Sequence, residues 1–228
     1  MKLITRMMAL LSFLVMVQYA NAASNSIYVD QIGDGSTVNI TQTGNSNAVG
    51  SANSKATFNG NNNTVTVEQI GNSNIANINV QGAGNTISSQ VTGNGNSVEI
   101  GCGAGGGSCS ASTITNTITG DGNSVTQNSD GTTTSTVTID SNNNTVNINN
   151  TSTAAAGAKS AVDISGGGGN SVAITQAGAA GTNGHDASVT IVGATNTVDV
   201  KQGGSVDSKV VSTINGSGNT LNIKSNHN

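Results

Sequence analysis

The chain has 228 residues and a formal net charge of −4, with only 8 % charged residues, 2 % aromatic residues and no proline or tryptophan. Asparagine (34 residues) and glycine (31 residues) are abundant instead, although glycine makes up only about 7 % of average proteins. This composition excludes a compact core of large side chains and, at 34 % apolar residues, also charge-driven disorder. It favours a repeat or a fibre held by β-branched side chains and amide hydrogen bonds.

The first 22 residues have the pattern of a secretory signal peptide. Lys2 and Arg6 form a basic start, and residues 7–17 are an apolar run. Residues 20–22 supply the small side chains of a cleavage site, and a membrane anchor would need about 20 apolar residues. We therefore predict export, with residues 23–228 forming a single repeat domain that is not an integral membrane protein. Its 5 lysines against 11 acids argue against nucleic acid as a partner.

A unit of turn plus strand recurs along the exported part of the chain. It reads Gly-x-x-Asn, then Ser or Thr, then Val or Ile alternating with polar residues, which is the period of a strand with one buried face. Glycine and asparagine tolerate the positive φ angles of turns. Clear copies begin at Gly33, Gly60, Gly71, Gly93, Gly120, Ser141, Gly167, Gly193 and Gly216, and weaker ones at Gly44 and Gly82.

The spacing of these turns predicts a coil of two strands and two turns. Turn glycines are mostly 11 residues apart in the first half and 21 to 26 apart from Gly120 onward, so one turn stays short while the opposite one lengthens. The expected fold is an all-β solenoid of about eight coils. The short turns are expected at Gly44, Gly71, Gly93, Gly120, Ser141, Gly167, Gly193 and Gly216. The opposite turns are expected near Gly33, 51–62, Gly82, 101–112, 128–133, 149–159, 177–187 and 203–209.

Strand parity then predicts which side chains point inward. Stacked coils would align asparagine on asparagine and glutamine on glutamine, and buried amides can hydrogen-bond from rung to rung as ladders. The predicted turn and ladder residues are Gln31, Gly33, Gln42, Gly44, Asn47, Gln69, Gly71, Asn74, Asn96, Asn123, Asn144, Asn170, Asn196 and Asn219. Inward isoleucines replace the glutamines later in the chain, and the lack of proline suits strands that must all pair.

Cys102 and Cys109 lie in a glycine-rich stretch. Export places them in an oxidising compartment, so we expect a local disulfide that closes this loop. A metal site would need about four ligands, and no histidine is close in sequence.

Residues able to do catalysis are scarce. His185 and His227 have no evident carboxylate and nucleophile beside them, and Asp34 and Asp121 are in turns without the tandem pattern of calcium-binding repeats. We expect neither an enzyme nor a cofactor.

Residues 25–42 (NSIYVDQIGDGSTVNITQ) resemble the curlin repeat of bacterial curli subunits, Ser-x5-Gln-x-Gly-x2-Asn-x-Ala-x3-Gln. Gln31, Gly33 and Gln42 match this repeat, whereas Asn25, Ser36 and Val38 replace its Ser, Asn and Ala. A second copy begins with Gln42, Gly44 and Asn47, and a third with Gln69, Gly71, Asn74 and Ala76. The resemblance covers about residues 25–100, so the chain resembles a divergent or minor curlin.

The resemblance implies a secreted β-solenoid subunit that stacks into extracellular amyloid-like fibres, which support biofilm matrix and surface adhesion. It also implies export through an outer-membrane channel and nucleation by a related subunit. Independently, a solenoid has an unpaired strand edge at each end unless a cap covers it. The stretches ASNSIYVDQ and TLNIKSNHN contain no helical or charged cap, so we expect head-to-tail self-association.

The alternative is a monomeric surface-binding solenoid, either an adhesin acting through loops 149–159 and 177–187 or an ice-binding protein. Ice binding would need a flat outward face of Thr-x-Thr pairs. Only one predicted outward pair is Thr-x-Thr and two contain an acid, which ranks this alternative lower. The pairs are Thr37/Asn39, Thr64/Thr66, Ile75/Asn77, Ser97/Glu99, Thr145/Asn147, Thr197/Asp199 and Thr220/Asn222.

Overall fold

The computed structural model describes residues 15–18, 24–103, 108–152, 157–178 and 181–227. Within these ranges every regular element is a β-strand, which confirms the predicted all-β class. In chain order the strands are β1 (Val15–Gln18), β2 (Ser26–Ile27), β3 (Val29–Ile32), β4 (Thr37–Thr43), β5 (Ala48–Val49), β6 (Ala56–Asn59), β7 (Thr64–Ile70), β8 (Ile75–Ala83), β9 (Thr86–Thr92), β10 (Ser97–Cys102), β11 (Cys109–Ser110), β12 (Thr113–Thr119), β13 (Ser124–Ser129), β14 (Thr133–Asp140), β15 (Thr145–Ser152), β16 (Ala158–Ser165), β17 (Ser171–Gly178), β18 (Asp186–Val192), β19 (Thr197–Gly204), β20 (Lys209–Asn215) and β21 (Thr220–His227).

The strands form two parallel sheets, and the chain alternates between them. Sheet A has the order β1-β4-β7-β9-β12-β14-β16-β18-β20, and sheet B has the order β2-β5-β8-β10-β13-β15-β17-β19-β21. Each coil is therefore one strand from each sheet with two turns between them, and the eight strands β4 to β20 of sheet A define eight coils. The predicted solenoid is confirmed, with the short turns after the strands of sheet A and the longer loops on the other side.

The interior is a narrow stack of valine and isoleucine from both sheets. Alternate residues of each central strand are buried, as the parity argument predicts, and Phe58 is the one phenylalanine or tyrosine in the buried core. Small β-branched side chains suit this space because they pack well on a pleated surface. The described coil at the C-terminal end is the exception, since Leu221 and Ile223 are only partly buried.

Two insertions interrupt strands of sheet B and correct the predicted opposite turns at 51–62 and 101–112. Residues 50–55 separate β5 from β6, yet both segments pair with the continuous strand β8. Residues 103–108 separate β10 from β11 in the same way, again opposite β8. Residues 50–55 therefore bulge out of a strand, and the strand position opposite β8 is interrupted again between Gly103 and Ser108. The opposite turns themselves lie at 60–63 and 111–112. The turn alignment could not detect this because it assumed unbroken strands.

The predicted signal peptide lies largely outside the described residues, which omit 1–14 and 19–23. Its described part is β1, which pairs in parallel with the outer edge of β4, Val15 opposite Val38 and Gln18 opposite Thr41. The edge of β4 thus accepts a further parallel strand in the register of the solenoid.

Candidate functional site: the stacking ladders and the two end faces

Most of the short turns are stacked so closely that a side chain would not fit at their first position, and Ser141 is an exception. Gly93 has a φ of 133°, and a Cβ built on it would lie 1.9 Å from the carbonyl oxygen of Gly120 in the next coil. Gly44 and Gly71 have the same relation to Gly71 and Gly93, again at 1.9 Å. In the opposite turn, the Cβ of Gly33 would lie 2.4 Å from the oxygen of Gly60. The glycines therefore set the distance between coils.

An unbroken asparagine ladder follows the inner side of the short turns. In each step the backbone N–H of one asparagine donates to the side-chain oxygen of the asparagine one coil earlier, over 2.9 to 3.0 Å. From Asn74 onward the side-chain Nδ2 donates to the same oxygen over 3.0 to 3.1 Å. Its nine members are Asn25, Asn47, Asn74, Asn96, Asn123, Asn144, Asn170, Asn196 and Asn219.

The predicted glutamine ladder is shorter than expected. Gln42 and Gln69 are neighbours in sheet A, and Nε2 of Gln42 donates to Oε1 of Gln69 over 2.8 Å. Gln31 instead belongs to sheet B, where its register partner is Phe58, so it is not part of a glutamine ladder as predicted. The structure contains a second pair that the sequence analysis missed, Gln176 donating to Gln202 over 2.8 Å. Each of these glutamines comes immediately before an expected loop, 177–187 or 203–209, so the aligned turns do not reveal that the two share a register.

A second ladder in the opposite turns was also missed. Ser36 Oγ accepts from the backbone N–H of Asn63, whose side-chain oxygen accepts from Asn85. The relay continues from Asn85 to Ser112 and from Ser112 Oγ to Thr133. Serine replaces asparagine at some of these positions, which hid the repeat in the sequence. Both side chains nevertheless accept the same backbone N–H.

Cys102 and Cys109 form a disulfide with a Cα–Cα distance of 5.4 Å. Both are fully buried, and they lie at the ends of the two segments that face β8. The bridge therefore closes the base of the 103–108 insertion, of which residues 104–107 lie outside the described ranges. Its role is local, since β10 and β11 are separately paired.

Changing both cysteines to alanine should lower the free energy of unfolding by roughly 2–3 kcal/mol, because a bridge over so few residues removes only modest chain entropy. The solenoid should still form, since β8 still pairs with both segments. Urea unfolding with and without a thiol reductant measures this. The reductant should lower the stability of the wild type and leave the double variant unchanged; an equal effect on both would contradict the assignment.

His185 and Asp207, whose side chains could take part in catalysis, make hydrogen bonds within the fold. His185 is fully buried, with Nδ1 2.9 Å from Ser208 Oγ and Nε2 3.1 Å from the Ala177 carbonyl oxygen. Asp207 accepts backbone hydrogen bonds from Asn183 and Gly184, and the bond from Asn183 is the main cause that lowers the pKa of this carboxyl. These contacts fasten loop 181–185 to the next coil.

Metal ligands are not grouped in the described ranges. There, no three His, Cys, Asp or Glu side chains are placed so that they could hold an ion together. Asp34 donates its backbone N–H to Asn61, and Asp121 accepts from Asn94 in the outer part of the turns. Of the two loops considered for adhesion, residues 153–156 and 179–180 lie outside the described residues.

The two ends of the ladder have complementary hydrogen-bonding groups. At the first rung, Nδ2 of Asn25 is buried and has no partner among the described residues. At the last rung, both amide groups of Asn219 donate to Asn196, and no described donor reaches its side-chain oxygen. One end therefore offers a donor and the other an acceptor, in the same column of the coil.

The outer edges of β20 and β21 have no partner strand in the described part of the chain. Their inward residues are Val210, Ser212 and Ile214, which are buried, and Leu221 and Ile223, which are only partly buried. Unpaired edges of this kind are templates for further strands.

No helix of the length and apolarity needed to cross a membrane occurs in the ranges that the structure describes. Comparison with family models, characterised proteins and solved structures finds no match to this chain.

Proposed function

We propose that the protein is a secreted structural subunit that stacks head to tail into curli-like extracellular fibres. The observation that carries the proposal is the complementarity of two groups at opposite ends of one ladder, the buried and unpartnered donor Asn25 Nδ2 and the exposed acceptor Asn219 Oδ1. Stacking a second copy on the last coil continues the ladder and gives the buried donor its acceptor. A buried polar group without a partner costs about 1–3 kcal/mol, so the junction is favoured over the free ends.

The register of this junction follows from the columns of the solenoid. If Asn25 of one copy lies over Asn219 of another, Ser26 lies over Thr220 and Ile27 over Leu221, because these residues occupy the same columns. In sheet A, β4 to β20 supply eight strands against the nine of sheet B from β2 to β21, so this register leaves one strand position between β20 of one copy and β4 of the next. That position adjoins the edge of β4 that β1 occupies in the uncleaved chain, and removal of the predicted signal peptide would free it.

The wider biological role rests on the resemblance to curlins. It comprises a place in the biofilm matrix, surface adhesion, passage through an outer-membrane channel and nucleation by related subunits. The polar, weakly charged repeat and the small buried side chains suit such a fibre, because stacked coils need little beyond hydrogen-bond ladders and β-branched residues.

Fibre formation should depend on the inward side chain of the last coil. The mature chain from residue 23 should form thioflavin-positive fibres, visible by electron microscopy after days at high concentration. Leu221→Lys should prevent this, because it places a charge in the junction, where an isolated buried charge is strongly unfavourable. Asn222→Lys is the matched control on the outward face of the same strand and should still form fibres. A wild-type chain that stays monomeric would overturn the proposal.

Cysteine pairs test the register separately. Ser26→Cys with Thr220→Cys places two thiols in adjacent rungs of neighbouring copies, about 4.8 Å apart along the stack, and disulfides need Cα distances of roughly 4.4–6.8 Å. Oxidised fibres should therefore contain covalent ladders of subunits. Ser26→Cys with Asn222→Cys is displaced by two residues, about 6.6 Å along the strand, and should give none. If fibres formed but only the second cysteine pair cross-linked, stacking would be supported and this register would be refuted.

A further inference from the structure

The outward face of sheet A carries a threonine array across five consecutive strands, β4, β7, β9, β12 and β14. Its first column is entirely threonine, and its second column contains three threonines, one serine and one asparagine. The columns are Thr37, Thr64, Thr86, Thr113, Thr134 and Asn39, Thr66, Ser88, Thr115, Thr136. All ten side chains are exposed or partly exposed.

This array was not visible in the aligned turns, because the seven pairs compared there came from two different sheets. Thr37/Asn39 and Thr64/Thr66 belong to sheet A, whereas the pairs from Ile75 onward belong to sheet B. The strands β12 and β14 follow turns without the Gly-x-x-Asn motif, so their outward pairs are not among the seven. The lower rank of ice binding in the sequence analysis rests on this mixing of faces.

The array differs from every other part of the solenoid surface described. In sheet A the first column continues as Lys159, Asp186 and Lys209 beyond β14. In sheet B the corresponding first column begins Ser26, Ala48, Ile75, Ser97, Ser124 and Thr145, and the second includes Glu99 and Asp199. The two threonine columns are therefore uncharged over five rungs, and charged residues begin beyond β14 and in the next outward columns of the same strands, at Glu68 and Asp140.

The spacing of the array is regular because the ladders hold it. Every coil-to-coil step of the asparagine ladder has nearly the same length, and side-chain ladders are one of the features that keep many-stranded sheets flat. Neighbouring threonines are about 4.8 Å apart across strands, and the two columns are about 6.6 Å apart along them. Hydroxyl and methyl groups thus repeat on a rectangular lattice close to the spacing of oxygens on the prism face of ice.

We propose that this threonine face binds ice. The methyl groups order the water above them, the hydroxyl groups hydrogen-bond into that layer, and the ordered layer joins the crystal lattice. The face lies on the flank of the solenoid, so the proposal is independent of stacking at the ends. A fibre of such subunits would present the same face at regular intervals.

The chemistry of the face disfavours other occupants. The ten side chains of the two columns are threonine, serine and asparagine only. A sugar would need an aromatic ring to stack on, and protein interfaces are dominated by tryptophan, tyrosine and arginine. The two columns include no lysine or arginine either, which nucleic acid or an anionic surface would require. An uncharged crystalline lattice with matching repeat is the partner that remains.

The matched substitutions Thr115→Tyr and Thr126→Tyr test the proposal. Both sites are the second outward position of a central strand and are partly exposed, but Thr115 is in the array and Thr126 is in sheet B. Tyrosine is tolerated in strands, and melting curves verify that both variants fold. The bulky ring at position 115 would hold the array away from a flat crystal face.

The monomeric mature chain should adsorb to growing ice, with measurable thermal hysteresis and inhibition of recrystallisation. Thr115→Tyr should lose most of this activity, and Thr126→Tyr should keep it. A wild-type chain without ice activity, equal effects of the two substitutions, or retention on crystalline cellulose or chitin in place of ice would each overturn the proposal.

Discussion

Gly93→Ala is expected to prevent the regular solenoid from forming. The new Cβ would lie 1.9 Å from the Gly120 oxygen, at a φ of 133°. The contact is with backbone, so it can be relieved only by moving one coil away from the next, which breaks the strand pairing on both sheets. We expect a loss above about 4 kcal/mol, a size that marks disruption of the fold itself. Circular dichroism and limited proteolysis of the mature chain measure this.

Gly95→Ala is the control within the same turn. Gly95 has a φ of 64°, and nothing lies within 4 Å of its built Cβ. Alanine there meets only the cost of a left-handed backbone, roughly 1–2 kcal/mol. Equal losses in the two variants would mean that backbone conformation, and not the approach of the next coil, requires the turn glycines.

Asn96→Leu should destabilise the solenoid by about 3–6 kcal/mol, because several buried groups lose their partners at about 1–3 kcal/mol each. Nδ2 of Asn96 donates to the Gly120 oxygen over 2.8 Å, and its Oδ1 accepts from the backbone N–H of Asn123 over 2.9 Å. Leucine has a similar volume and leaves these groups unpaired in a site without water. Urea unfolding of monomeric protein gives the difference.

Asn94→Ala, two residues earlier, is the matched control. Asn94 belongs to the exposed outer part of the turn, where Nδ2 donates to Asp121 over 3.1 Å and Oδ1 accepts from the backbone and side-chain nitrogens of Asn72 over 3.0 Å. Water replaces these exposed bonds, so the change should stay within about 0.5 kcal/mol. If the two variants were equally stable, the inner ladder would contribute no more than a surface hydrogen bond.

The solenoid fold could be predicted from the sequence because the turn and strand signals agree in nearly every coil. Gly71, Asn74 and Ile78 illustrate this: turn glycine, ladder amide and core residue recur at constant offsets, so parity alone predicts burial. The coil number and the inner ladder follow from that repetition. The local sequence pattern was sufficient for prediction wherever a coil repeats the pattern of the preceding coil.

The prediction failed where contacts depend on which sheet a strand joins. Gln31 and Gln42 occupy equivalent positions before a turn glycine, but they lie on different sheets and never meet. Thr113 and Thr134 follow irregular turns, so their alignment with Thr37 appears only in the pairing register. Insertions such as 50–55 have the same cause, since a bulge leaves the neighbouring strand continuous and has no fixed sequence signal.

The backbone hydrogen bonds between stacked turns also bear on how long such a chain stays chemically intact. The sequence contains four Asn-Gly bonds, at Asn59, Asn94, Asn183 and Asn215, and asparagine is thermolabile because the following backbone nitrogen can attack its side-chain amide to form a succinimide. In the folded chain each of those four nitrogens is already a hydrogen-bond donor, within 2.8 to 2.9 Å of Ile32 O, Asn72 O, Asp207 Oδ1 or Val192 O. Cyclisation would require those bonds to break. The coil therefore opposes deamidation at the most vulnerable bonds of a protein with 34 asparagines.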